Sequence, residues 1–470
     1  MHVDSRIRLG RLALVAALAV LASVSAFLLA SRGSAPPGDI LIFTEIPVEE
    51  TGDPRFPERS RIVALDPNGA ATVEVLTPDF VAARAPAISY DGRRMLFAAR
   101  KKDSDDWHIW EMNLADRKSR RITEGVAGCS DPVYLPDDRI AFSAEANRAG
   151  EATNYALFTA GADGCCVQRI THHPEVDVGS TILRDGRILH ASGKSTGRQP
   201  SLFAVRYDGT KADLIYRSPP SAAIRDRAWE APNGSVYFVE EKEPTEGRLV
   251  AIAMKRPLGT RIELSEDATG AYRSVFPIGA DTLIVSYRPT EAAPFALFYF
   301  ESARRSLGRR IYGGGAYSAV EPVLAAAHSR PLGFISTVDP QQELGEFLCI
   351  DAGLSTLAPN PGTTGRSMFL RVETTDGLLG EVPLAADGSF HIMPPADTPV
   401  RLLTLDEDKR IVRGPSAWMW IRPGEQRGCV GCHENPELTP PNVIPEAVIP
   451  APVRLDGVPV PELEFLPRDL

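Results

Sequence analysis

Cysteine and histidine are scarce in this chain, with 6 and 8 among 470 residues. Six cysteines are too few for a disulfide scaffold of this length. There is no basic excess either: 51 Lys and Arg stand against 61 Asp and Glu, a net charge of −10. That balance excludes a nucleic-acid binder and excludes adhesion to anionic lipid through a basic face. No cysteine lies in the first thirty-five residues, which removes a lipoprotein anchor. What remains is ordinary globular composition, 43% hydrophobic and 24% charged. The length exceeds one ordinary core and implies two or three domains.

Two of the six cysteines and one histidine are spent on a single pentapeptide, Cys429-Val430-Gly431-Cys432-His433. In a C-x-x-C-H, each thiol can add across one vinyl group of a haem, and the histidine then falls under the iron as an axial ligand. With this composition, chance produces the string on the order of 0.001 times per chain. A zinc half-site or a small disulfide loop are the alternatives; the zinc site requires a second ligand pair. One covalent haem c is therefore expected on Cys429, Cys432 and His433. Cys129, Cys165, Cys166 and Cys349 are left over, and their pairing is open.

The compartment agrees. Arg6, Arg8 and Arg11 precede an apolar run from Leu12 to Ala30, whose 19 residues would span roughly 28 Å as a helix. Residues 1–35 thus read as a signal anchor, an N-terminal membrane helix with its Arg-rich start held in the cytoplasm. Gly33-Ser34-Ala35 offers a cleavage site, so secretion stays open. Either way the bulk of the chain is expected outside the cytoplasm, in the periplasm.

Between residues 39 and 357 the sequence repeats. Turn pairs at Asp91-Gly92, Asp137-Asp138, Asp185-Gly186, Asn233-Gly234, Gly279-Ala280 and His328-Ser329 follow one another at spacings of 46, 48, 48, 46 and 49. Each lies between short apolar strands, and further strands such as Trp107–Met112 and 119–123 complete the unit. Four short strands per forty-odd residues is the mark of a propeller blade. The fold expected is all-β, a β-propeller of six or seven blades. The countable units favour seven, while merging the two partial end units would leave six. Residues 131–143 resemble a TolB-like or PD40 blade; the Gly-His and Trp-Asp marks of WD40 are absent.

After Asn360-Pro361-Gly362 the period stops. Residues 365–425 read as a small β-sandwich-like module, and residues 426–470 as the haem segment with a tail holding nine prolines. On the strand 389–393, His391 and Met393 project to one face and Phe390 and Ile392 to the other. His391, Met393 and Met419 are the candidate sixth ligands of the iron. Trp418 and Trp420 are candidates for packing on the haem edge. A Met or His sixth ligand makes an electron-transfer site; an empty position permits catalysis or gas binding. Gly193–Gly197 matches G-x-S-x-G but lies in a blade loop rather than a strand–turn–helix. His172-His173 and the Asp103, Asp105, Asp106 group read as solvated loops, with metal binding as the alternative. Cys165-Cys166 falls at a hairpin turn after Asp163-Gly164, where a bridge to Cys129 is conceivable.

The run from Gly388 through Pro399 to Glu434 resembles the hydrazine synthase alpha subunit-like family, which joins a TolB-like propeller to a C-terminal c-type haem segment. The resemblance implies haem attachment at Cys429, Cys432 and His433. Members of hydrazine synthase carry two c-type haems in this subunit, the catalytic one with a tyrosine ligand shortly after the motif. Here there is one C-x-x-C-H, and residues 434–438 contain no tyrosine. Three functions follow. The first is a membrane-anchored monohaem cytochrome in electron transfer. The second is an open-site redox enzyme subunit, a haem-dependent oxidoreductase. The third is a propeller interaction module with a structural haem. A redox partner protein or a small-molecule substrate is implied; nucleic acid is not.

Overall fold

A computed structural model describes residues 40–49, 55–66, 73–146, 154–194, 198–242, 246–266, 269–313, 315–432 and 439–456. Among them there is no helix long and apolar enough to cross a membrane. The apolar run from Leu12 to Ala30, expected as a membrane helix, lies outside the described residues.

The repeat folds into six four-stranded antiparallel sheets. Their innermost strands are Ala82–Ile88, Ser130–Tyr134, Val176–Ile182, Ala223–Glu230, Ala271–Pro277 and Tyr317–Ala325. Each touches the next, and the last touches the first, so the ring closes. The sequence turns are hairpins between first and second strands: the Asp138 amide donates to Leu135 O and the Gly186 amide to Leu183 O. Second strands such as Arg94–Arg100 and Ser235–Glu241 bury five consecutive residues, because they are covered on both faces by neighbouring blades.

The favoured count of seven blades is corrected to six. Tyr317–Ala325 does not start a blade of its own. It pairs with Ile40–Pro47, Ile40 opposite Ala325 and Pro47 opposite Tyr317, and so supplies the inner strand that the first blade lacked. Joining the chain ends within one sheet leaves no open edge for a seventh. Residues 332–335, the apolar run after the His328-Ser329 turn, form no strand. They belong to a strap crossing the blade faces, with Ile335 90% exposed and Phe334 stacked on Tyr207 at 4.0 Å. Apolar content made the strap look like a strand, but no neighbouring sheet edge is available to pair it.

At the axis the innermost strands carry bulges at equivalent places, with positive φ at Ala85, Asp131, Gly179 and Glu321. The channel is filled rather than open. Arg84 bonds Glu321, and Arg84 and Arg227 lie 3.8 and 3.7 Å from Asp131. Thr44 donates to Glu321 at 2.7 Å.

The chain then builds a β-sandwich. One sheet runs Gln426–Cys429, Glu346–Cys349, Phe390–Met393, Val453–Arg454; the other runs Gly377–Pro383, Phe369–Thr374, Val400–Leu405, Ile411–Arg413. Phe347, Phe390 and Ile392 from the first meet Leu370, Val372 and Leu402 from the second in one core. The boundaries expected from sequence shift accordingly. Glu346–Cys349, inside the span read as propeller, is a central strand here. The stretch read as a separate haem segment supplies two strands of the same sheet. Its proline-rich tail is stitched down where described: the Ala447 amide donates to Ser389 Oγ and the Leu455 amide to Met393 O.

Candidate functional site

Cys429 ends a strand that pairs in parallel with Glu346–Cys349, placing Cys349 directly beside Cys429. Side chains opposite one another across a sheet share a face. Phe347, Cys349 and Phe390 point into the sandwich core, so Cys429 leans toward the inner face, and Cys429 and Cys432 both pack against that core while half-exposed. The turn between them is pinned. Asp351 donates its amide to Val430 O, and a Cβ on Gly431 would lie 2.4 Å from Leu354 O. Only glycine allows the turn to lie this close. Beside the Asp351–Gly353 backbone opens a cleft of about 810 Å³, rimmed by Arg366, Met368, Leu384 and Arg413, within the usual size of a ligand pocket. Two half-exposed thiols on a rigid turn fit the attachment of a haem c. His433, the expected proximal ligand, lies outside the described residues.

The candidate sixth ligands separate. The strand Phe390–Met393 alternates buried and half-buried as expected. That alternation puts His391 and Met393 on the sheet face opposite Cys429, and His391 is held there by a hydrogen bond to Glu346. Strand alternation thus sends both away from the sheet face of Cys429. Met419 packs into the same apolar cluster as Cys429 and Cys432.

The two tryptophans sit in different surroundings. Trp418 lies under the Arg401 guanidinium at 4.9 Å. Trp420 is fully buried in a propeller cluster with Leu157, Ile170 and Tyr207, and its Nε1 donates to Gly209 O at 3.0 Å. A Cβ at Gly209 would strike Ile170 O at 2.4 Å, so the outer strands of two blades and the sandwich meet at this glycine.

Around Trp420 lies a set of residues that the sequence reading did not assign. Arg422, buried, bonds Asp397 and His172 at 2.7 Å each. Glu425 accepts from the Arg422 amide and, across the domains, from the Lys211 amide, both at 2.9 Å. Arg427 reaches Ala212 O at 2.6 Å. The eight residues before Cys429 are thus keyed onto the propeller. The only sequence signal was two charges, Arg422 and Glu425, inside an otherwise apolar run. Replacing Trp420 with Phe should keep the packing and leave a buried carbonyl unpartnered. The expected cost is about 1–3 kcal/mol in denaturant unfolding, with the single transition broadening or splitting as the two domains uncouple.

The remaining readings resolve simply. His172-His173 is not a solvated loop: His173 is buried. Burial, then the charges of Arg169 and Arg422, push the His172 imidazole down to about 2. Asp103 lies on an exposed loop beside Arg59. Cys129 is buried, Cys165 and Cys166 are exposed, and no disulfide links them; burial pushes the Cys129 thiol up to about 12. Strand Ile188–Lys194 is followed by strand Arg198–Val205, so no helix follows Ser195, which itself lies outside the described residues. For Cys349, burial and then the neighbouring Cys432 and Cys429 sulfurs push the thiol well above its ordinary range.

Comparison with known proteins comes to the same region. Residues 352–434 match the family described as the hydrazine synthase alpha subunit middle domain. The chain is 22% identical, over an alignment 539 positions long, to hydrazine synthase subunit alpha of Kuenenia stuttgartiensis, covering 84% of this chain. It spans about 65% of that relative's length. Among solved structures, Kuenenia stuttgartiensis hydrazine synthase superposes with a TM-score of 0.77 at 20% identity, over 88% of this chain and 72% of that one. TolB from Acinetobacter baumannii aligns at a TM-score of 0.47 and 14% identity, over 65% and 71% of the two chains.

Proposed function

From its place in the hydrazine synthase alpha-like family, we propose that this chain is an exported haem-dependent redox subunit. Cys429 and Cys432 would hold one haem c, and His433 would bind its iron. Such a haem would supply an iron able to take a small molecule. The observation that carries this reading is the placement of His391 and Met393 on the far face of the sheet from Cys429. Two of the three sequence candidates for a sixth ligand are thereby directed away from the cysteines' face.

A haem bound there supplies iron that cycles between ferrous and ferric states and binds small ligands. The chain's own residues do the rest. Gly431 lets the attachment turn lie on Asp351 and Leu354, and Arg366 and Arg413 bring positive charge to the adjoining cleft, where haem carboxylates would be neutralised. Trp420, Arg422 and Glu425 hold the module in one orientation on the propeller, which presents the broad surface for a redox partner protein. In this proposal, residues 12–30 anchor the chain to the membrane and the redox module works on the periplasmic side.

A second reading rests on Met419, which shares the cysteines' apolar cluster. As a sixth ligand it would make the protein an electron-transfer cytochrome. Carbon monoxide decides between them. The open-site reading predicts that the ferrous protein binds it at once, with a shifted Soret band, and that Met419→Ala changes nothing. A ferrous protein that ignores carbon monoxide until Met419 is replaced would overturn the open site in favour of electron transfer.

A further inference from the structure

Beneath Trp420, within the fourth blade, His173, Asp177 and His190 converge. Their ligand atoms all lie within 4.8 Å of one another, a grouping found nowhere else among the described residues. All three are buried, at 4%, 0% and 0% exposure. Asp177 comes from the innermost strand Val176–Ile182, His190 from its neighbour Ile188–Lys194, and His173 from the segment leading in.

The distances fit a shared ion, with one long hydrogen bond between His173 and Asp177 in its place. Asp177 Oδ1 lies 3.2 Å from His173 Nδ1 and 3.5 Å from His190 Nε2. A charge-assisted bond between imidazolium and carboxylate closes to about 2.7–2.9 Å. The edges of a tetrahedron with metal–ligand arms of about 2.0–2.1 Å measure roughly 3.3 Å. Neither ring nitrogen of His190 has a hydrogen-bond partner, and neither does Asp177 Oδ2. A carboxylate and two imidazoles stripped of water and bonded this loosely are costly to bury. A divalent cation removes that cost by supplying the charge and filling the vacant lone pairs. The Ser192 hydroxyl, 3.5 Å from His173 Nδ1, stands beside the set and steadies the His173 ring. The Arg422 charge nearby is matched by Asp397.

We infer that His173, Asp177 and His190 form a buried three-residue site for a divalent first-row transition ion, zinc by its nitrogen–oxygen ligand set. The rings are already oriented for it. His173 meets Trp420 edge-on at 4.5 Å and Phe203 at 4.9 Å, and His190 stacks on Phe203 at 6.0 Å. The ion would stiffen the patch of propeller on which Trp420, and through it the segment leading to Cys429, is seated. Its three ligands are distinct from the cysteines of the motif.

Elemental analysis and zinc X-ray absorption on the purified full chain test this. The site predicts close to one zinc per chain in addition to any haem iron, with a shell of nitrogen and oxygen at about 2.0–2.1 Å and imidazole scattering. His190→Ala should bring zinc to background. Ser192→Ala, which keeps all three ligands, should weaken zinc affinity by about 10–100-fold. Should His190→Ala misfold, the wild-type absorption spectrum still decides. Sulfur in the zinc shell would put the ion at the cysteines and overturn the proposal. So would a wild-type chain that carries no zinc and takes up neither Zn²⁺ nor Co²⁺ stoichiometrically.

Discussion

Replacing Cys429 and Cys432 together with alanine is expected to abolish covalent haem completely, while Cys349→Ala leaves it intact. All three sulfurs lie close enough for the first two to act on the ionisation of the third, so proximity does not distinguish them. Accessibility and ionisation do. A thiol adds to a vinyl group more readily as its thiolate fraction rises, and burial drives the Cys349 thiol the other way. Cys429 and Cys432 are half-exposed at the end of an edge strand, where a haem can approach. Haem staining after denaturing electrophoresis is the measurement, because thioether bonds survive unfolding. A band retained by the double variant, or lost with Cys349→Ala, would put the attachment chemistry on the wrong sulfurs. The Cys349 variant should also be only mildly destabilised, since alanine leaves a small apolar gap beside Phe347 and Phe390.

The second large effect is at the propeller axis. Glu321 sits on the strand that closes the ring, and its carboxylate receives Arg84, the Thr44 hydroxyl and the Ala85 amide. Burial by itself would raise this carboxyl, but the Arg84 and Arg227 charges, helped by those hydrogen bonds, hold it down at about 2. Glu321→Gln keeps the shape and removes a carboxylate charge that faces the buried Arg84 guanidinium. Breaking one member of such a buried network costs about 3–5 kcal/mol, read as a drop in denaturant midpoint at pH 7. The pH dependence follows from the depressed value. The charged form's stabilisation is fully present above the unfolded carboxyl's range and is lost as pH falls from about 4.5 toward 2. That loss amounts to something on the order of 3 kcal/mol. In Glu321→Gln this share of the acid slope should vanish. An unchanged slope would mean that the axis network contributes little to closing the ring.

The residues explain which features were legible in the sequence. Hairpin turns such as Asp91-Gly92 and Asp185-Gly186 carry their own chemistry, so the period and the propeller follow from local signals. Blade count does not, because it depends on which strand the last one pairs with. Tyr317–Ala325 has the pattern of any inner strand, and its partner is some 270 residues earlier in the chain. The strap at 332–335 has strand-like composition and no edge to pair with. At the site, the alternation of His391 and Met393 against Phe390 and Ile392 was readable within one strand. Which face the cysteines share was not, because it is decided by the parallel pairing of Gln426–Cys429 with Glu346–Cys349. Trp420 reads as a haem-edge aromatic because it stands nine residues before Cys429; only tertiary packing turns it toward Gly209. His172-His173 looked like a polar loop because nothing local signals that another domain covers it.

The mass of the full chain, expressed with c-type haem maturation machinery and measured under denaturing conditions, tests the central claim most directly. The account predicts a single covalent addition of one haem per chain, absent from the double cysteine variant. An unmodified polypeptide, or a second haem on a chain with one C-x-x-C-H, would contradict it.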